Sequence, residues 1–312
     1  MSPAFLGTSD FAAAVLRRLA GSPHRPSLVV TPPDSRRGRG RRTASPPAAD
    51  VARELGIEVL QVASVNEPEA AEAVRAADPG LAVVCAFGQL ITEPLLGELE
   101  MLNVHPSLLP RWRGAAPIER AIMARDPETG VCVMEVTAGL DSGPVALCER
   151  TPIEPDETFG DLSPRLAEIG GELIVEALDR RAAGELESSD QDDSAATYAE
   201  KIKPADRRLD PGRPAEELAA TVRALTPHIG AFLELEGGDR LGIRTARPMT
   251  DEETGEEANE EPGPGELRAD GERLLLGTAD GGLRLDEVQP PGGRPMRAAD
   301  FLRGHAVPAR TA

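Results

Sequence analysis

The sequence predicts two domains: a doubly wound, mostly parallel α/β domain and, after it, a small β-barrel. Three observations support this prediction. The chain has 312 residues, about twice the length of a typical domain. Apolar strand-like runs alternate with helical patterns up to residue 184, which is typical of a parallel sheet covered by helices. After residue 204 the apolar runs become short and are separated by Gly and Pro, which is typical of a barrel.

The elements of the first domain follow from local patterns. Between residues 9 and 20, Phe11, Val15, Leu16 and Leu19 recur at helical spacing. Strands are predicted at 3–7, 27–31, 57–62, 81–86, 100–104, 130–136 and 144–150. Helices are predicted at 9–20, 47–55, 67–77, 90–99 and 116–125, and a long helix at 158–184 closes the domain.

Two acidic segments mark the second half of the chain. Residues 185–193 carry five acids and no base, so we expect a solvated linker that is too polar to pack. Residues 251–262 carry seven acids and no base, which predicts a disordered loop between strands. The domains are accordingly set at 1–184 and 205–312, with 185–204 as linker. In the second domain a helix is predicted at 213–225, and strands at 230–236, 240–247, 265–269, 273–277 and 282–288.

Composition excludes several classes of protein. A net charge of −19 ordinarily argues against a nucleic-acid partner, although the location of charge matters more than its sum. Eight aromatic residues are too few for stacking platforms that bind single-stranded nucleic acid.

Neither a span of about 20 apolar residues nor a leader segment is present, which predicts a cytoplasmic protein. The three cysteines have no CxxC spacing, so we expect buried inert thiols and neither a disulfide framework nor a metal site.

A candidate catalytic group lies at the end of the fifth predicted strand. Asn103 and His105 are two residues apart and therefore point to the same face, at the carboxyl end where open sheets bind ligands. Asp141 follows in a glycine-flanked loop, Gly139–Gly143, that can reach the same place. An amide, an imidazole and a carboxylate suffice for acyl transfer to an amine. A lone histidine here is more often structural, and Ser107 lacks the GxSxG elbow of a serine nucleophile.

Basic residues are concentrated in one place. The loop 34–42 holds five arginines against one aspartate, and arginine forks pair well with phosphate. The alternative is a plain solvated loop. The only two lysines, Lys201 and Lys203, lie together after the acidic segment, where they suggest a contact surface between the domains; the alternative is that they fall together by chance. The first strand is followed by Gly7-Thr8-Ser9-Asp10, which lacks the GxGxxG spacing of a dinucleotide site, so a nicotinamide enzyme is disfavoured.

The strings NVHPSLLPRWRGAAPI (103–118) and GLDSG (139–143) closely resemble the formyltransferases that use 10-formyltetrahydrofolate. The resemblance covers nearly the whole chain and implies a Rossmann-like domain followed by an OB-like, tRNA-binding domain. It implies that Asn103, His105 and Asp141 are the catalytic triplet, with no metal. It also implies that methionine esterified to initiator tRNA receives the formyl group, in a bacterial, monomeric, cytoplasmic enzyme.

The resemblance also implies the binding residues. Those for folate are Ala86, Phe87, Gly88, Gln89, Leu90, Ser107, Leu108, Leu109, Pro110 and Gly139. Those for the tRNA acceptor stem are Arg36, Arg37, Arg39, Arg41, Arg42, Lys201 and Lys203. Two alternatives stay open: a sugar-nucleotide N-formyltransferase with the same triplet, and a non-catalytic tRNA-binding protein. The arginine-rich loop argues against the first alternative, and the intact triplet argues against the second.

Overall fold

The computed structural model describes residues 1–37, 42–250, 262–307 and 310–311. It divides into two compact units. The first comprises Met1–Pro117, Glu128–Pro152 and Ser163–Glu200, and the second comprises Ile118–Pro127, Ile153–Leu162 and Lys201–Ala312. Within the described residues, no helix combines the length and apolarity needed to cross a membrane.

Eleven strands and six helices are described up to residue 200. The strands are β1 (Ala4–Gly7), β2 (Leu28–Thr31), β3 (Ser35–Arg37), β4 (Arg42–Ala44), β5 (Glu58–Gln61), β6 (Ala82–Cys85), β7 (Met101–His105), β8 (Arg113–Gly114), β9 (Glu128–Glu135), β10 (Val145–Pro152) and β11 (Tyr198–Ala199). The helices are α1 (Asp10–Ala20), α2 (Pro47–Glu54), α3 (Pro68–Ala76), α4 (Leu95–Glu98), α5 (Pro117–Met123) and α6 (Phe159–Ala183).

The main sheet of the first unit confirms the predicted doubly wound topology. Its strand order is β10-β9-β7-β6-β1-β2-β5, in which β5, β2, β1, β6 and β7 are parallel to one another. Strand β9 is antiparallel to β7, and β10 is antiparallel to β9. The chain builds outward from β1 to β5 and then returns to the other side of β1 with β6. The switch point therefore lies between β1 and β6, and the carboxyl ends of such strands form the ligand crevice of open α/β sheets.

Helix α1 shows why the local sequence folds as predicted. The Ser9 side chain accepts a hydrogen bond from the Ala12 N–H and caps the helix. Phe11, Val15, Leu16 and Leu19 lie on one buried face. The strands β1, β2 and β6 are buried along their whole length, which explains their continuous apolar runs.

The second unit contains an antiparallel sheet, as predicted for the barrel. Its α-helices and strands are α7 (Ala215–Leu225), β12 (Ala231–Glu234), β13 (Arg240–Pro248), β14 (Leu267–Asp270), β15 (Arg273–Thr278), β16 (Gly281–Gln289), β17 (Met296–Arg297) and α8 (Ala298–Gly304). The strands run in the order β12-β13-β16-β15-β14, with β17 paired to β16. Arg310 and Thr311 bridge to Glu266 and Leu235 respectively, so they join the two ends of the sheet.

Three expectations differ from the structure. The helix expected at 90–99 is only the single turn α4, because the residue before Pro94 disfavours helical backbone. The acidic segment 185–193 packs after all, since Ser189 bridges to Val145. The flanks of the basic loop form a two-stranded hairpin, β3–β4.

Two stretches lie outside the described part of the chain, so the structure does not test what was expected of them. They are residues 38–41 of the basic loop and residues 251–261 of the predicted acidic loop.

The expectation of three inert buried thiols is also wrong. Cys132 on β9 and Cys148 on β10 lie opposite each other and form a disulfide, with their Cα atoms 4.1 Å apart. Cys148 is exposed on the edge strand. The pairing depends on strand register, which the spacing of cysteines in the sequence does not reveal. Cys85 remains free, and burial raises the pKa of its thiol far above the ordinary value.

Candidate active site

The switch point of the main sheet brings three chain segments together. Thr8 follows β1, the segment Ala86–Leu90 follows β6, and His105 ends β7. The Thr8 hydroxyl donates a hydrogen bond of 2.8 Å to the Phe87 carbonyl and so joins the first two segments. The β6–β7 register places Val84 beside Asn103, so the loop after β6 begins next to the Asn103–His105 pair.

Asp141 meets Asn103 and His105, as the sequence predicts. Its Oδ1 accepts a 3.4 Å hydrogen bond from Asn103 Nδ2, and its Oδ2 lies 3.7 Å from His105 Nδ1. The Gly114 N–H donates a 2.8 Å hydrogen bond to Oδ2. The Asp141 backbone has a φ of +47°, a left-handed conformation that Asp tolerates better than most residues. The three side chains therefore form one cluster within the first unit.

Hydrogen bonding fixes the tautomer of His105. Its Nε2 lies 2.9 Å from the Trp112 carbonyl, and a carbonyl can only accept, so Nε2 carries a hydrogen. In the neutral imidazole, Nδ1 is then the basic nitrogen, and it faces the Asp141 carboxylate. The His105 side chain is only 5% exposed and that of Asp141 is 18% exposed. The pair thus offers two neighbouring proton acceptors that are largely shielded from bulk water.

Gly114 is a position where a side chain cannot be accommodated. Its φ is +121°, and a Cβ there would lie 2.8 Å from the Ala199 carbonyl oxygen. The close approach allows β8 to pair with β11 in parallel, with Arg113 opposite Tyr198. This pairing holds the Gly114 N–H in position for Asp141.

One polar group beside this cluster, the Gln191 amide, was not predicted from the sequence. Gln191 donates from Nε2 to the carbonyls of Asp141 (3.0 Å) and Gly143 (2.7 Å), and its Oε1 accepts from Arg113 Nε at 3.0 Å. Arg113 is 3% exposed and also donates to Asp193 at 2.8 Å. A contact across about 50 residues of sequence leaves no local pattern, and the acidic surroundings of Gln191 indicated only solvent exposure.

The segment predicted to bind folate after β6 divides into inward and outward residues. Phe87 is 4% exposed and belongs to the core, and Gln89 uses its amide to accept from the Val65 N–H at 2.9 Å. Ala86, Gly88 and Leu90 are exposed. Ala86 and Gly88 both have positive φ, so the chain turns sharply here and presents its backbone outward.

The second predicted folate segment follows β7. Ser107 is completely buried, and its hydroxyl donates to the Arg111 carbonyl at 2.6 Å, which supports the exclusion of a serine nucleophile. Leu108, Leu109 and Pro110 are half-buried, whereas Gly139 lies exposed before Asp141. Cys85 supplies no nucleophile either, because its buried thiol stays protonated. Across the described residues, no group of acidic, histidine or cysteine side chains could hold a metal ion.

The predicted tRNA-binding residues lie on separate segments of the chain. Arg36 and Arg37 lie on β3 and Arg42 lies on β4, whereas Arg39 and Arg41 fall outside the described residues. Lys201 and Lys203 are exposed at the start of the second unit's main segment. The other three histidines are distant in sequence from the site, and two of them pair with carboxylates: His24 with Asp179 and His228 with Glu119.

A mostly parallel sheet with an amide, an imidazole and a carboxylate at the carboxyl end of the strand β7 defines a class of acyl-transferring enzyme. The chain belongs to the formyl transferase family. The family profile "Formyl transferase" matches residues 1–178, and "Formyl transferase, C-terminal domain" matches residues 201–306.

Relatives with curated names narrow the class further. A protein of Rubrobacter xylanophilus named methionyl-tRNA formyltransferase is 47% identical over 310 residues, which are 98% of each chain. A protein of Parvibaculum lavamentivorans with the same name is 41% identical over 310 residues, also 98% of each chain. A third, from Methylococcus capsulatus, is 43% identical over 97% of this chain and 96% of its own.

Solved structures share the fold at much lower identity. HypX from Aquifex aeolicus, in complex with tetrahydrofolic acid, superposes with a TM-score of 0.65 at 19% identity over 98% of this chain. This chain spans about half the length of HypX, 48%. An N-formyltransferase from Helicobacter canadensis, in complex with folinic acid and dTDP-3-aminofucose, has a TM-score of 0.63 at 16% identity, covering 91% of this chain and 98% of its own.

Proposed function

We infer that this protein transfers the formyl group of 10-formyltetrahydrofolate to the α-amino group of methionine esterified to initiator tRNA. The observation that carries this proposal is the cluster of Asn103, His105 and Asp141 at the carboxyl end of β7, the strand next to β6. The names of relatives that are 41–47% identical over almost the full chain support the choice of acceptor.

The chemistry requires a carbonyl activator and a proton acceptor. The folate donor supplies a formyl carbon bonded to a nitrogen that leaves as an amine. As the methionine nitrogen bonds to that carbon, negative charge develops on the formyl oxygen, and the Asn103 amide hydrogens can donate to it. In the resting structure one of those hydrogens is directed to Asp141 at 3.4 Å, a weak contact that costs little to exchange.

His105 and Asp141 can manage the proton. The attacking amine gains positive charge and must lose a proton before the bond to the folate nitrogen breaks, while that leaving nitrogen must receive one. His105 Nδ1 and Asp141 Oδ2, 3.7 Å apart, are adjacent acceptors for the first proton. If the imidazole becomes protonated, the neighbouring carboxylate stabilises its charge, and the fixed hydrogen bond from Nε2 to Trp112 keeps the ring in place. The bond to the folate nitrogen then breaks as that nitrogen takes a proton.

Exposed apolar side chains support a folate site beside this cluster. Four large hydrophobic residues are exposed among the described residues, and two of them, Leu90 and Leu140, lie on the loops assigned to folate. Apolar walls with a few backbone polar groups are typical of small-molecule sites. We therefore assign the outward-facing residues Ala86, Gly88 and Leu90 to direct contact, and the inward-facing Phe87 and Gln89 to the support of the loop.

Recognition of tRNA is assigned to the basic residues. The proposed contacts are Arg36, Arg37, Arg39, Arg41 and Arg42 around the β3–β4 hairpin, together with Lys201 and Lys203. The division 1–184, 185–204 and 205–312 remains the proposed organisation, with the last part as the OB-like tRNA-binding domain. The enzyme is proposed to act as a monomer in the cytoplasm of a bacterium, where charged initiator tRNA is made.

The proposed function is tested with two acceptors. The protein is incubated with 10-formyltetrahydrofolate and either methionyl initiator tRNA or a nucleoside-diphosphate amino sugar. Formylation of the aminoacyl-tRNA alone is the expected result. Formylation of the amino sugar alone would refute the proposal and favour the sugar-nucleotide alternative, whereas binding of tRNA without formylation would favour the non-catalytic alternative.

A further inference from the structure

We propose that Gln191, supported by Arg113, is a positioning residue that holds the Asp141 carboxylate in its reactive place. This inference rests on the proposed function, since it concerns the same site. Gln191 hydrogen-bonds to the backbone of the loop that carries the Asp141 side chain.

The nitrogen and the oxygen of the Gln191 amide both form hydrogen bonds. Nε2 donates to two carbonyls of one loop, those of Asp141 at 3.0 Å and Gly143 at 2.7 Å. Oε1 accepts from Arg113 Nε at 3.0 Å. These partners fix the amide orientation, because a flipped amide would place its oxygen against two carbonyl oxygens. The residue therefore ties together both sides of Ser142 in a loop whose Asp141 has a positive φ.

Arg113 fixes the position of the Gln191 amide by binding its oxygen. Its side chain is 3% exposed, and its guanidinium binds Gln191 through Nε and Asp193 through a terminal nitrogen. The next residue, Gly114, donates its N–H to Asp141 Oδ2 at 2.8 Å. Asp141 is consequently positioned at its backbone by Gln191 and at its side chain by the Gly114 N–H. Both contacts depend on strand β8, which contains Arg113 and Gly114.

This closed set of contacts predicts a specific kinetic effect. Without Gln191 the carboxylate is still present, but its loop loses two of the bonds that define its place. Displacement of a reacting group by about 1 Å can cost about 100-fold in rate, and a smaller displacement costs less. We expect kcat to fall by about 10–100-fold while KM for methionyl-tRNA stays within about twofold.

The experiment uses Gln191→Leu and Gln191→Glu in the full chain. Leucine removes all three contacts. Glutamate keeps the acceptor for Arg113 but replaces the donor with an oxygen that faces the two carbonyls, so it breaks the bonds to the Asp141 loop while the bond to Arg113 is kept. Steady-state formylation gives kcat and KM, and hydrogen exchange of the Gly114 amide reports whether its bond to Asp141 has loosened. Both variants should lose kcat and show faster exchange at Gly114.

Gln289→Leu is the matched control. Gln289 lies in the second unit and has the same kind of contacts, accepting from Arg244 and donating to the Gly293 carbonyl at 2.9 Å. Its kcat should remain within about twofold of the wild type. Absence of formylation by the wild-type protein would refute the proposed function itself. An active wild type with unchanged kcat in the folded Gln191 variants, or unchanged exchange at Gly114, would overturn the positioning role.

Discussion

Replacing Asp141 with Asn tests the proposed site most directly, because it removes one charge and preserves the shape of the side chain. Oδ2 lies 3.7 Å from His105 Nδ1. At an effective dielectric constant of about 20, a carboxylate and a protonated imidazole at this distance attract by about 4 kcal/mol. That energy is gained only as the imidazole becomes charged during the reaction. Since about 1.4 kcal/mol corresponds to a tenfold change in rate, kcat should fall by about 10³-fold.

The same substitution should leave the fold intact. Asn adopts the left-handed backbone of residue 141 as readily as Asp does. The Gly114 N–H can still donate to the amide oxygen of Asn, so one neutral hydrogen bond replaces a charge-assisted one, a loss of about 1 kcal/mol. Because tRNA contacts are assigned elsewhere, KM for methionyl-tRNA should change by less than about threefold.

The assay is formylation of methionyl initiator tRNA under steady-state conditions, with tRNA affinity measured separately by filter binding. Asp280→Asn is the matched control, because this aspartate also accepts from a backbone N–H, that of Ala215 at 2.9 Å, but lies in the second unit. It should keep kcat. If Asp141→Asn retained kcat within about threefold, or lost tRNA affinity instead, the assigned role would be wrong.

Three further predictions concern other parts of the chain. Gly130→Ala should destabilise the protein by about 2 kcal/mol in urea unfolding, because its Cβ would lie 2.1 Å from the Glu149 carbonyl oxygen. Burial opposes ionisation of Asp206, but hydrogen bonds from Lys203 N–H and Arg120 hold its pKa below the ordinary value. Its stabilising effect is therefore present at neutral pH and lost as pH falls through the lowered pKa, so Asp206→Asn should cost about 1 kcal/mol at pH 7 and little in acid. Replacing Arg39 and Arg41 with Ala should weaken tRNA binding, lower its salt slope by about 2, and leave kcat unchanged.

Controls separate these effects from general damage. Gly21→Ala places a Cβ no closer than 3.6 Å to its neighbours and should be tolerated. Asp239→Asn removes an exposed acid and should cost equally little at both pH values. Arg75→Ala removes an arginine already paired with Glu98, so it should leave the salt slope unchanged. The prediction for Asp206 would be wrong if Asp206→Asn lowered the free energy of unfolding equally at both pH values. The prediction for Gly130 would be wrong if Gly130→Ala left the free energy of unfolding unchanged. The assignment of Arg39 and Arg41 would be wrong if the salt dependence of tRNA binding stayed the same without them.

The sequence predicted those parts of the structure that depend on nearest neighbours. Buried parallel strands are continuous apolar runs, so β1, β2 and β6 were predicted to within one residue. The triplet was also predictable, since Asn103 and His105 share a strand face and Asp141 lies in a glycine-flanked loop. The glycines and proline that interrupt the second half indicated a barrel for the same local reason.

The remainder depends on contacts between distant segments. Gln191 lies in a run of acids and serines, and only the folded chain shows that its amide reaches Asp141 about 50 residues away. The two-residue strands β8 and β11 are too short to have a periodicity, although their pairing holds the Gly114 N–H. The Cys132–Cys148 pair likewise follows from register, which a single sequence does not fix.

The net charge of −19 acquires a different meaning once these contacts are known. The sequence predicts that 185–193 is a solvated linker, but Asp193 binds the buried Arg113, and Gln191 between the acids hydrogen-bonds to the Asp141 loop. Asp193 therefore belongs to the first unit, and its negative charge compensates the charge of Arg113, which burial would otherwise destabilise. Residues 34–42, in contrast, carry a local net charge of +4. A polyanion such as tRNA would be drawn to that hairpin and repelled from the acidic surfaces, so an acidic protein and a nucleic-acid substrate are compatible.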